Sequence, residues 1–123
     1  MVQTIVAPLT ASVTLHDAGP EPYTLVELAG EADVTGSETL HALLAAETRK
    51  KPGLLVIDMS ALRFMDSAAL QAILRAHLVL GKNGGRLALV SPHDTVARVL
   101  QMTEVDRLVP VYASVNEALS RQH

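Results

Sequence analysis

Leu54-Leu-Val-Ile57 is a run of four aliphatic residues with no polar position between them. A strand that shows one face to water alternates apolar with polar residues, so a strand without alternation needs cover on both faces. The run is expected to be a central strand in a sheet layered between helices, which makes the chain α/β. A length of 123 residues suits one domain, and residues 1–123 are read as one. The core has to be aliphatic, because hydrophobic residues make up 49% but aromatics only 2%, namely Tyr23, Phe64 and Tyr112.

The flanking segments supply the other layers. Thr10 to Asp17 carries Val13 and Leu15 between polar neighbours, the period of a half-buried strand. Ala18-Gly-Pro-Glu-Pro22 reads as a turn, and Tyr23 to Ala29 as a second strand, so the two are expected to form an antiparallel hairpin. Gly30 to Gly36 reads as a loop, with Thr35 or Ser37 as cap of a helix that runs to about Arg49 and buries Leu40, Leu43 and Leu44. After the central strand, Asp58 to Met65 is expected to leave the sheet. A helix is then predicted from Ser67 to about Asn83, with Leu70, Ile73, Leu74 and Leu78 buried and Gly84-Gly85 as its stop. Arg86 to Val90 reads as a strand, Ser91-Pro92 opens a helix through Met102, Leu108 to Tyr112 reads as a last strand, and Ser114 to Arg121 as a closing helix. Residues 1–9 are expected to be disordered.

Composition removes several classes of function. A formal net charge of −3 argues against a general nucleic-acid binder, which needs a basic face, and so few aromatics offer no stacking platform for single strands. There is no cysteine, hence no disulfide or thiol chemistry. The start lacks a basic segment followed by an apolar core, and no apolar run approaches the length of a membrane span. The expected location is cytoplasmic, without membrane insertion. A hydrolytic triad has no support, because Met65 and Ala69 stand where a Gly-x-Ser-x-Gly elbow around Ser67 would need glycines. His77 falls on the apolar stripe of its helix and reads as a packed histidine, and no close His/Glu spacing suggests a metal site. Gly81-Lys-Asn-Gly-Gly85 follows a helix and lacks the spacing of a phosphate-binding loop. A phosphate-receiving domain built on Asp58 would need an acidic pair after its first strand and a lysine after its last, and neither is present.

The segment that carries chemistry is Asp66-Ser67. A buried strand delivers the chain to the sheet edge, and the next helix begins there. Serine is a good helix cap, and that role alone accounts for Ser67. The same geometry suits a phosphorylated serine, since a phosphate there meets free N–H groups and the positive end of the helix dipole. The added charge, roughly −1.5 to −2 at neutral pH, stands beside Asp66.

Val56-Ile-Asp-Met-Ser-Ala-Leu-Arg-Phe-Met-Asp-Ser-Ala-Ala-Leu70 resembles the signature of STAS-domain anti-sigma factor antagonists. Leu28-Ala-Gly-Glu-Ala-Asp33 is similar to the family's Gly-Glu-Leu-Asp element, and Gly84-Gly-Arg-Leu-Ala-Leu-Val-Ser-Pro92 to its next strand and turn. The resemblance implies the STAS fold, a mixed sheet with an N-terminal antiparallel hairpin followed by alternating helices and parallel strands. It implies that Ser67 is a phosphoacceptor and that Asp33 and Asp66, with Ser67, Ala68 and Ala69, form a partner-facing surface. The partners implied are an anti-sigma factor that is also a serine kinase, and a phosphatase acting on phosphorylated Ser67. ATP and magnesium would sit on the kinase, so no cofactor is expected on this chain, and no enzymatic activity. A non-switching STAS scaffold, or an accessory subunit of a transport system, is the alternative. The sequence departs from the family pattern at Ala68-Ala69 and Gln71, where glycine or serine is frequent, and at Glu104, where glycine commonly follows Met102-Thr103.

Overall fold

In the computed structural model, residues 8–120 are described, with the backbone alone at Val34. The elements are β1 (Thr10–His16), β2 (Tyr23–Ala32), α1 (Val34–Arg49), β3 (Leu54–Met65), α2 (Ser67–Lys82), β4 (Arg86–Val90), α3 (Asp94–Met102), a short 3-10 turn (Val105–Arg107), β5 (Val111–Tyr112) and α4 (Val115–Ser120). The strands lie in the order β1-β2-β3-β4-β5. β1 and β2 form the expected antiparallel hairpin, and every later neighbour is parallel, joined by a helical crossover. This order, with its antiparallel edge, differs from the 2-1-3-4-5 winding of phosphate-receiving domains.

The apolar run 54–57 sits at the centre as its composition requires. Leu55 and Ile57 face one core, with Val26, Leu87, Leu89 and residues from α1, α2 and α3. Leu54 and Val56 face a smaller one, with Ala88, Val90 and Ala118 of α4. All four residues are fully buried. β1 is different: six of its seven residues are exposed, Leu15 to 65%.

β3 does not leave the sheet at Asp58. Its pairing with β4 ends there, at Asp58↔Val90, but it stays paired with β2 as far as Ala32↔Met65. Two register shifts, between Glu27 and Ala29 and between Gly30 and Glu31, each place one extra residue on β3. Such bulges twist a strand and re-aim its side chains. They let Met59, Leu62 and Met65, spaced by three, all reach the core. The spacing breaks the period of a regular strand, which is why it reads as a loop in the sequence. Gly30, with φ of 92°, occupies the second shift.

α2 ends as its glycines predict. The Gly85 N–H donates to the Leu80 carbonyl (2.8 Å) and the Gly84 N–H to the Gly81 carbonyl (3.2 Å), with Gly84 at a φ of 78°. This paired pattern is a Schellman stop. The buried residues of α2 are Ala69, Leu70, Ala72, Ile73, Ala76 and Leu80. Leu74 packs only at the margin of the core, and Leu78, expected inside, is 62% exposed. The expected last strand shrinks to Val111–Tyr112, because the N–H groups of Leu108 and Val109 both donate to the Val105 carbonyl (2.9 Å each) of the preceding 3-10 turn. Residues 1–7 and Arg121 lie outside the described residues, whereas Pro8 bridges to Glu31 and Leu9 packs against the core.

Glu104 adopts φ 62° and ψ 18°, the left-handed region. That conformation costs a non-glycine residue about 1–2 kcal/mol, and the Glu104–Arg107 pair, 3.7 Å apart and exposed, returns little of it. Glu104→Gly is therefore expected to stabilise the fold by about 0.5–1 kcal/mol once the greater backbone freedom of glycine is subtracted. Urea denaturation checks this; a lower midpoint for the variant would contradict it.

Candidate functional site

β2 and β3 finish side by side, at Ala32 and Met65, and each is followed by an aspartate that turns the chain into a helix. Asp33 caps α1: its carboxylate accepts from the Gly36 N–H (3.3 Å). Asp66 caps α2, accepting from the Ala69 N–H (2.9 Å). The Asp66 N–H donates to the Ala32 carbonyl (3.1 Å), which fastens the start of α2 to the end of β2. Two helix N-termini and two carboxylates thus share one end of the sheet.

Ser67 is not a cap. It is the first residue within α2, exposed, and its hydroxyl has no hydrogen-bond partner among the described residues. Aspartate caps as well as serine does, and Asp66 holds that position. The same holds for α1, where Asp33 takes the capping role expected of Thr35 or Ser37. Of the other residues singled out in the sequence, Ala68 is half-buried, while Ala69 is fully buried and presents nothing to a partner. Ser67 is thus the exposed one of the five, with Asp33, Asp66 and Ala68 half-buried.

Two further residues were not singled out as site residues in the sequence. His41, on α1, donates from Nε2 to the Ala68 carbonyl (3.1 Å); a carbonyl only accepts, so the proton resides on Nε2. The contact ties the middle of α1 to the first turn of α2. Phe64 is 41% exposed and sits opposite Glu31 across the β2/β3 pair. An aromatic two residues before Asp66, in a chain with so few aromatics, was the available signal.

The other polar residues take structural roles. The Asp58 carboxylate accepts from the Ser60 N–H (2.9 Å), just past the point where β4 ends. His16 stacks on Tyr23 with ring centroids 4.7 Å apart, at the opposite end of β2. His77 is half-buried. Among the described residues no group of three His, Asp or Glu side chains is arranged to hold a metal ion, and no helix is long and apolar enough to cross a membrane.

Chemically, the first turn of α2 offers an exposed hydroxyl next to a carboxylate that is already occupied by a backbone N–H group. A group attached to the Ser67 oxygen would project outward without displacing a cap.

Comparison with known proteins points to one family. The family model described as STAS domain matches residues 15–118. The crystal structure of an anti-sigma factor antagonist from Mycobacterium paratuberculosis superposes with a TM-score of 0.82 at 29% identity, over 94% of this chain and 97% of that one. The anti-sigma F factor antagonist of Paenibacillus polymyxa is 29% identical over 97 residues, 78% of this chain and 83% of its own. A Thermotoga maritima protein named as a candidate anti-sigma factor antagonist is 38% identical over 65 residues; these span 53% of this chain and 58% of that relative's length.

The division of labour between Asp66 and Ser67 is testable by stability alone. Asp66→Ala is expected to cost about 1 kcal/mol and Asp66→Asn much less, because asparagine also caps. Ser67→Ala should change stability by no more than about 0.5 kcal/mol, as an exposed substitution. Equal losses for Asp66→Ala and Ser67→Ala in urea titrations would return the cap to the serine.

Proposed function

The chain is a member of the STAS-domain family of anti-sigma factor antagonists, and from that premise we propose that it is a partner switch governed by phosphorylation of Ser67. In the unphosphorylated form it binds an anti-sigma factor and so releases a sigma factor for transcription. The anti-sigma factor is also a serine kinase. It transfers the γ-phosphoryl group of ATP to the Ser67 oxygen, the hydroxyl proton is lost, and ADP leaves. A phosphatase hydrolyses the phosphoserine and restores binding.

The observation that carries this reading is the state of Ser67, exposed at the start of α2 with a hydroxyl that holds nothing in place. A kinase can take that hydroxyl without dismantling the helix. The phosphate adds roughly −1.5 to −2 charge to an end of the sheet that already carries Asp33 and Asp66. The first-turn N–H groups and the helix dipole accommodate the anion. The fold is then preserved while the surface becomes strongly anionic, and a partner fitted to the neutral hydroxyl is repelled. Asp33 contributes on the same surface as part of what the kinase recognises.

Intact mass after incubation with ATP, magnesium and each candidate anti-sigma kinase of the same genome, followed by peptide mapping, tests the reading. One added phosphate on Ser67, absent in Ser67→Ala, is the expected result. Labelling elsewhere, or none with any kinase, would overturn it and favour a non-switching scaffold or an accessory subunit of a transport system. Asp33→Asn keeps a capping side chain and removes a charge. It should slow phosphorylation with little change in melting temperature; a large fall in melting temperature with normal phosphorylation would make Asp33 purely structural.

A further inference from the structure

Ser67 is not isolated on its helix. At 100° per residue, positions 67, 71, 74 and 78 fall within an arc of about 60°. The structure places all four at the surface: Ser67, Gln71 and Leu78 exposed, Leu74 half-buried. Leu78 lies outside the core, which Leu70, Ile73, Ala76 and Leu80 close from the neighbouring stripe with Leu74 at its margin. Leu78, 62% exposed, continues the apolar surface outward from the half-buried Leu74 at the core margin.

This stripe opens onto a groove between α1 and α2. Leu74, Leu78 and His41 line its upper part with Arg75 and Lys82. Its continuation is lined by Leu44, Ala72, Ala76 and Val79, flanked by Arg49. Among the described residues, no carboxylate lines either part. The surface thus changes sign along α2, from the acidic caps at its start to an apolar strip bordered by cations.

We infer that the partner's docking surface runs from Ser67 down the exposed stripe of α2 into this groove, with Leu78 as apolar anchor and Arg75 and Lys82 as the sites for carboxylates of the partner. The occupant is the anti-sigma factor that reads Ser67, through a segment bearing an apolar side chain flanked by acidic ones. The inference rests on the proposed role of Ser67, because continuity with that serine is what assigns the stripe to this partner. Charge complementarity sets the chemistry of the segment. An apolar anchor desolvated at the centre of the contact supplies affinity, and the flanking charges supply rate and register. His41 joins the two regions, since its ring lines the groove while its Nε2 holds the Ala68 carbonyl one residue beyond Ser67.

Calorimetric titration of each candidate anti-sigma factor of the same genome against the wild type, Ser67→Asp, Leu78→Asp and Arg75→Glu is the test. Leu78 and Arg75 are both exposed, so the variants should fold, and circular dichroism melts verify this. Leu78→Asp is expected to weaken binding about tenfold or more. Arg75→Glu should weaken it several-fold at low salt, with the difference shrinking as ionic strength rises. Binding lost in Ser67→Asp but unchanged in both groove variants would overturn the groove and leave the serine switch standing. Binding lost in Leu78→Asp but unchanged in Ser67→Asp would keep the groove and remove the switch. No binding of the wild type to any candidate would remove both.

Discussion

The hydrogen bond from the Asp66 N–H to the Ala32 carbonyl closes the parallel β2/β3 pair at the point where both chains turn into helices. It sets the height at which α2 begins relative to α1. With the side-chain caps of Asp33 and Asp66, it brings two helix N-termini to one end of the sheet. The bulges in β3 serve the same end. Without two extra residues, β3 could not both follow β2 to Ala32 and keep Met59, Leu62 and Met65 in the core. The position of Ser67 in space is thus a product of the sheet, although the start of its helix was readable from the sequence.

Exposure of the hydroxyl follows from a division of tasks between adjacent residues. A helix start needs an acceptor for its first N–H groups. When a serine supplies it, any modification of that serine also uncaps the helix. Here the aspartate supplies it, and the serine stands one position inside, with its side chain unengaged. The buried methyl of Ala69 then fixes the first turn against the core from beneath. The cap and the open hydroxyl thus reside on neighbouring side chains that can be altered separately.

Much of this was legible in the sequence, for identifiable reasons. Leu54 to Ile57 could only be a doubly covered strand. Gly84-Gly85 read as a helix stop, and the alternation around Val13 and Leu15 announced a strand, though β1 is more exposed than the half-buried strand expected. The features that escaped depend on tertiary registration. The extension of β3 is hidden because bulges replace a spacing of two by a spacing of three. The capping role of Asp66 is hidden because Asp-Ser offers two good caps in succession, and only the start of the helix decides between them. The stripes Leu70/Ile73 and Leu74/Leu78 are apolar alike, and only the position of α1 determines which of them lies inside. The hydrogen bond from His41 to Ala68 spans 27 residues and has no local signature.

The exposed stripe of α2 has a consequence for how such domains diversify. Gln71, Leu78 and Arg75 lie at the surface and seal no core, so each can change without the fold having to be solved again. Under the proposed switch, two copies arising from a gene duplication could keep the same serine and the same chemistry of modification while drifting apart at these few positions. Insulation between parallel signalling circuits would then be written in a handful of outward-facing side chains, and cross-talk would be suppressed long before the sequences of the two cores had diverged.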